Sequence, residues 1–236
     1  MKILGMDSSG LVASVAVVED DILVAEYTVN HKKTHSQTLL PMLDEVVKMT
    51  ELELDTVDAI AVAAGPGSFT GLRIGAATVK ALGLALDKPV VSVPTCHGLA
   101  YNMWGTNKLV CPILDARRNQ VYTGVYQFID ERLDVVRDQD AMGIDELVEY
   151  LNGLDREVIF VGDGIPVYGA YIRDNLKSGC SFAPAGFNRQ RASSVAALGL
   201  QLYKEGKYEC ADEHKPIYLR KSQAEREREE QLKQAE

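Results

Sequence analysis

Two acidic residues at the ends of short apolar runs are the first groups in this chain that could do chemistry. Asp7 closes the run Lys2–Met6 and is followed by Ser8-Ser9, while Asp115 closes Leu109–Leu114 and is followed by Ala116-Arg117. A carboxylate beside small hydroxyl residues leaves backbone N–H groups approachable, which suits a phosphate or a magnesium-bound water. The same pattern also describes a plain strand-end turn, so Asp7, Ser8 and Ser9 are either a remnant phosphate loop or a structural corner. A second candidate is Gly65-Pro66-Gly67-Ser68-Phe69-Thr70-Gly71, which precedes a helical stretch and could offer its amides to an anion. It lacks the Lys-Ser/Thr ending of a P-loop, which argues against a P-loop NTPase. Its glycines and proline chiefly imply a tight turn and a closely packed helix. His31 and His35 stand four apart, but Lys32 and Lys33 lie between them and no third ligand is evident. Asp115 with Arg117 and Arg118 could form a cleft charge pair, and Gly162-Asp163-Gly164 could face an adenosine in an ancestral site, but a solvated turn and a strand-end turn are the simpler readings. No catalytic set, metal set or cofactor site is indicated.

The elements that must position these groups come in a regular order. Val12–Val18 and Ile22–Val29 follow the first run as strands, and tight reversals between them imply an antiparallel hairpin. A helix is predicted from Thr34–Ser36, with Leu39, Leu40, Leu43, Val46 and Val47 at helical spacing, Met42 and Met49 widening the stripe, and Pro41 kinking or delaying its first turns. Asp58–Ala64 reads as a buried strand, Leu72–Leu86 as a helix, Pro89–Val93 as a strand and Thr95–Trp104 as a helix. That order implies parallel neighbours joined by a crossover. Strands are next expected at Leu109–Leu114, Gln120–Phe128, Leu133–Asp138 and Val158–Val161, and helices at Ile144–Leu151, Val167–Leu176 and Ser194–Lys204. The class is α/β, with one lobe over 1–105, a second over 106–220 and a charged tail over 221–236 that is expected to fray.

Composition limits the functions. The chain has 236 residues, 46% of them hydrophobic and 25% charged, as in ordinary globular proteins. A net charge of −9 with scattered Lys and Arg argues against tight RNA binding by this chain alone, because phosphate neutralisation supplies much of that affinity. Cys96, Cys111, Cys180 and Cys210 are far apart, as expected of reduced thiols in a cytoplasmic protein. The stretch Leu72–Leu86 is too short for a membrane span and carries Lys80.

The eleven residues Gly65-Pro66-Gly67-Ser68-Phe69-Thr70-Gly71-Leu72-Arg73-Ile74-Gly75 closely resemble the hallmark loop and helix of the TsaB family. Ile3-Leu4-Gly5-Met6-Asp7-Ser8-Ser9, His35-Ser36-Gln37-Thr38-Leu39-Leu40-Pro41, Asp115-Ala116-Arg117 followed by Val121-Tyr122, and Pro216-Ile217-Tyr218-Leu219-Arg220 fit the same family, so the resemblance covers residues 1–220. It implies an actin-like ATPase fold, in which two related lobes each carry a mixed sheet flanked by helices. It also implies a non-catalytic partner of the paralogue TsaD, joined by the ATPase TsaE, in a complex that transfers threonylcarbamoyl from its adenylate to N6 of adenosine in tRNA. Transfer RNA is then met only through the complex. The paralogue carries a His-x-x-x-His metal motif, and the matching stretch here, Val93-Pro94-Thr95-Cys96-His97-Gly98-Leu99, puts Thr95 and Leu99 near those positions. His97 alone cannot hold a divalent ion.

The predicted helix after the glycine loop carries a separate argument. Leu72, Ala76, Val79, Gly83 and Leu86 lie along one side, and Ile74, Ala77, Ala81, Leu84 and Ala85 lie around the other. A helix apolar on both sides must be covered on both, by its own sheet and by a second protein. The expected partner surface is Arg73, Ile74, Ala77, Lys80, Ala81 and Leu84, with Leu39, Leu43, Val46 and Val47 of the preceding helix. On its own, the chain is expected to form a homodimer through that surface. The alternative is a helix enclosed within its own lobe. Two rival functions stand beside this one: a metal-dependent transferase or glycopeptidase-like hydrolase acting by itself, and a sugar or acetate kinase of the same broad fold.

Overall fold

Residues 1–31 and 33–220 are described by the computed structural model, so the expectation for the tail lies outside the described residues. The chain opens with β1 (Lys2–Asp7), β2 (Ala13–Glu19) and β3 (Ile22–Val29), an antiparallel meander. Helix α1 (His35–Thr50) leads to β4 (Ala59–Gly65), α2 (Phe69–Leu86), β5 (Val90–Pro94) and α3 (Thr95–Tyr101). The second half repeats the plan with β6 (Leu109–Asp115), β7 (Gln120–Ile129), β8 (Arg132–Gly143), α4 (Ile144–Leu154), β9 (Val158–Val161), α5 (Ile165–Asn175), β10 (Cys180–Phe182) and α6 (Ala192–Lys204).

The first sheet has the order β3-β2-β1-β4-β5 and the second the order β10-β9-β6-β7-β8, which is the same order read from the other edge. In each, an antiparallel meander is extended by two parallel strands. Two mixed five-stranded sheets of one topology, flanked by helices, are the actin-like ATPase architecture.

Alternation along β1 shows how the first sheet is covered. Leu4 and Met6 face a core with Leu39, Met42, Leu43 and Val46 of α1 and Val79 of α2, while Ile3 faces the core of Val195, Ala196, Leu198 and Leu200 from α6. Side chains at 39, 42, 43 and 46 form the buried stripe that helical periodicity requires. Pro41 lies inside α1 on its exposed side, and the helix starts at His35, ahead of it and without delay. Helix α2 begins at Phe69, ahead of the expected Leu72, because the Ser68 hydroxyl accepts from the Gly71 amide at 3.3 Å.

The helices do not follow the boundary drawn at residue 105. Helix α3 packs Cys96, Leu99 and Ala100 against Val110, Leu114, Tyr126 and Val161 of the second sheet, and α6 roofs the first. Each sheet has two apolar faces, so a helix from the other half of the chain must cross over to close one of them. The return to the first sheet is held by polar groups: the Ala192 amide donates to Ser14 Oγ at 2.8 Å, and Glu26 of β3 accepts from Arg191 and from Ser193 Oγ at 2.7 Å. Burial alone would push the Glu26 carboxyl up, but the bonds from Arg191 and Ser193 outweigh it and hold the group below its ordinary range.

Candidate functional site: the inter-sheet cleft and the outer face of α2

The two sequence candidates for anion binding meet in the structure and occupy each other. Asp7, Ser8 and Ser9 are buried at the end of β1. The Ser68 amide donates to the Ser9 carbonyl at 2.6 Å, and Ser8 Oγ donates to the Gly71 carbonyl at 2.9 Å. A Cβ on Gly67, Gly71 or Gly75 would collide with Ser8 or Ser9. The glycines of this loop therefore serve close approach of the α2 N-terminus to the first turn. His35 Nε2 donates to the Gly10 carbonyl at 2.8 Å, and His31 is exposed in the turn before α1.

Asp7 Oδ1 accepts from the Ser9 amide at 2.8 Å and from Ser9 Oγ at 2.6 Å. Burial outweighs those bonds and pushes the carboxyl from 3.8 up to about 6. The unfolded chain therefore releases this proton at lower pH than the folded one, so the native state loses stability as pH rises from the ordinary value through the raised one. At ~1.4 kcal/mol per pKa unit, the ionised group costs up to roughly 3 kcal/mol at neutral pH. Asp7→Asn is expected to raise the unfolding free energy at neutral pH by ~1–3 kcal/mol and to flatten its decline across the acid range, read by urea melts at several pH values.

Between the sheets lies a cleft of about 630 Å³, lined from the first half by Ser9, Gly10, Gly67 and Ser68 and from the second by Leu114, Asp115, Arg117 and Asp163. Asp163 Oδ1 accepts from the Asp115 amide at 3.1 Å, and burial pushes its carboxyl up. Asp115 pairs with Arg117 at 3.3 Å and accepts from Tyr168 at 3.2 Å. These groups satisfy one another. Among the described residues, no three His, Cys, Asp or Glu side chains converge as a metal site would require. Arg118 is exposed.

A second polar cluster has the composition of a hydrolase triad but not its geometry. Ser92 Oγ lies 2.9 Å and Glu209 Oε1 2.8 Å from the same nitrogen, Nδ1 of buried His214, and Ser92 also donates to Glu209 at 2.6 Å. A nucleophile–base–acid relay needs the two ring nitrogens divided between its partners. This cluster instead fastens the chain after α6 to the edge of β5, where Val90 and Glu209 exchange both backbone bonds.

Helix α2 turns Leu72, Ala76, Val79 and Gly83 inward, and its Arg73, Ala77, Ala81 and Leu84 are exposed, Leu84 to 64%. The other expected partner residues lie elsewhere. Leu39, Leu43 and Val46 are buried in the core under α1 and cannot meet a second protein, because the first sheet already claims that stripe. Val47 and Ile74 are half-buried against the same core, and Lys80 is drawn aside to donate to the carbonyls of Asp212, at 2.7 Å, and His214. On α1 the large apolar residues left exposed are Leu40 and Met49.

A family model described as TsaD, tRNA N6-adenosine threonylcarbamoyltransferase, matches residues 23–228. The TsaB protein of Bacillus subtilis is 37% identical over 228 residues, covering 95% of this chain and 96% of that one. The chain belongs to the TsaB family. The Escherichia coli TsaB protein is 29% identical over 95% of this chain and 96% of its own length. Among solved structures, YeaZ from Pseudomonas aeruginosa superposes with a TM-score of 0.76 at 26% identity, covering 92% of this chain and 99% of that one.

Within this TsaB-family chain, Thr95 and Leu99, the positions expected from the resemblance to stand where the paralogue carries histidines, are committed to packing. Thr95 is fully buried and its Oγ1 accepts from the Gly65 amide at 3.1 Å, while Leu99 sits in the core beneath the second sheet. His97 is half-buried edge-on to Tyr126, and burial pulls its pKa down. Sequence reading assigned no chemistry to the return segment Pro216–Arg220, yet residues 217–220 line the cleft. Its five residues carry no periodic pattern, so only the fold could show where they run.

Proposed function

We propose that this chain is a non-catalytic subunit of the cytoplasmic tRNA threonylcarbamoyladenosine machinery. It docks TsaD through the outer face of α2, TsaE joins that assembly, and tRNA is met only through the complex. Isolated, the chain pairs with itself by the same face. The observation that carries this reading is the exposed stripe Ala77, Ala81 and Leu84, with Arg73 at its N-terminal end, whose small residues admit a partner helix at close range. The names of its relatives support the pathway, and the burial of Thr95 and Leu99 favours an accessory rather than a catalytic role. The net charge of −9 fits a subunit that leaves RNA to others.

The test is complex formation with TsaD and threonylcarbamoyl transfer by the mixture, comparing the natural chain with Ala77→Glu. Binding that survives the substitution would remove the stripe as the docking surface. Catalysis by this chain alone is the competing reading, favoured by the description of the matching family model. Stoichiometric zinc or iron on the purified chain, or transfer without TsaD, would establish it.

A further inference from the structure

The return segment after α6 does more than end the fold. The Ile217 amide donates to the Ala64 carbonyl at the end of β4 at 2.7 Å, and Arg220 Nη1 donates to the Ala116 carbonyl beyond β6, also at 2.7 Å. Four residues thus bridge the strand ends of the two sheets and line the cleft between them. Gly65 has φ +120°, and the space a Cβ would take is filled by the Ile217 carbonyl, so the segment lies directly on the end of β4. Tyr218 stacks on Phe69 with ring centroids 4.5 Å apart and accepts from Arg73 Nε at 3.3 Å; the Arg73 guanidinium in turn lies 4.0 Å over the Phe69 ring. Among the described residues, the hydrogen bond of this segment to the second sheet comes from Arg220 alone, and Ile217 and Tyr218 are both exposed. Segments with few buried contacts open at low free energy.

We propose that residues 216–220 are a latch that sets the opening of the cleft, with Arg220 as its catch on the second sheet and Arg73 as its tie to the outer face of α2. Release of the catch loosens the strap between Ala64 and Ala116, while each sheet keeps its own core and Gln139 Nε2 of β8 still donates to the Gly65 carbonyl at 3.0 Å. Because Arg73 belongs to the exposed stripe, a protein lying on α2 acts on the latch; that last link rests on the docking reading above.

The test uses the full chain, with amide exchange by NMR at Ile217 and hydroxyl-radical labelling of the cleft-lining Leu72 and Leu114. Arg220→Ala is expected to speed Ile217 exchange by about tenfold or more, the scale set by a charge-assisted bond, and to raise labelling of Leu72 and Leu114 several-fold. Labelling of the core residue Phe160 stays unchanged and shows that the fold is intact. Arg220→Lys, which keeps a donor, restores part of both signals. Arg73→Ala, which removes the tie from α2 to Tyr218, also speeds Ile217 exchange. Faster exchange at Ile217 without new labelling of Leu72 and Leu114 overturns the latch, since a merely loose strap would move alone. For the link to docking, bound TsaD is expected to slow Ile217 exchange. A complex that leaves that amide unchanged sinks the link. Failure of any complex to form sinks the docking reading and leaves the latch to be judged by the isolated chain.

Discussion

Gly5→Val is expected to loosen the packing of α6 on the first sheet and lower the melting temperature of the chain. A Cβ at this position would lie 2.5 Å from the Ala192 carbonyl oxygen and 2.8 Å from Ala196 Cβ, both on α6, which crosses the back of β1 at that point. The obstacle is backbone and a methyl group, so no flexible side chain can swing aside. Valine favours strands in isolation, which makes the outcome a contest between propensity and packing. Propensity is worth less than ~1 kcal/mol, whereas overpacking against backbone costs ~3 kcal/mol or more, out of a total of roughly 5–15. For a chain of this size, that lowers the melting temperature by about 10 °C, read by circular dichroism or scanning calorimetry. Gly153→Ala on α4 is the comparison, since a Cβ there meets nothing within 4 Å and is expected to be neutral or mildly stabilising. Equal melting of Gly5→Val and the natural chain would mean that α6 does not sit on β1.

That contact also marks where the sequence stopped being legible. Hydrophobic periodicity is local, so it located α1, α2 and most strands and showed which face of α1 carries apolar groups. It could not say what the face meets. Leu39, Leu43 and Val46 have the spacing of an interface and the spacing of a core, and only the sheet beneath them decides for the core. The crossing of α3 and α6 to opposite sheets depends on contacts far apart along the chain, such as Ser14 with Ala192 and Glu26 with Arg191. A lone glutamate in a strand gives no sign of its partner 165 residues away. The three-residue β10 is too short for any periodic signal. At the site, Asp7, Ser8, Ser9 and the glycine loop were visible as residue types suited to anions. Their mutual hydrogen bonds, which engage the Ser68 amide and the Ser8 hydroxyl with protein carbonyls, follow from how tightly α2 approaches β1.

Ala77→Glu is expected to abolish docking of TsaD while leaving the isolated chain folded. Ala77 is exposed on α2, and surface substitutions on helices usually change stability by less than ~0.5 kcal/mol. Its neighbours along the stripe, Ala81 and Leu84, offer no donor to a carboxylate, and Arg73 is engaged with Phe69 and Tyr218. A glutamate pressed into that seam by a partner helix must lose water without gaining a partner. Burying an unpaired charge costs about 3–5 kcal/mol, which at ~1.4 kcal/mol per decade weakens the complex by more than roughly a hundredfold. Threonylcarbamoyl transfer by the mixture is then expected to fall to the level of TsaD alone, and the substituted chain to elute as a monomer where, on the proposed self-pairing, the natural chain is expected to elute as a dimer. Ala170→Glu makes the same chemical change on exposed α5, over the second sheet, and is expected to leave binding, transfer and elution unaltered. If both substitutions weaken the complex equally, added negative charge rather than the α2 seam is responsible, since a long-range field does not distinguish the two helices whereas desolvation does.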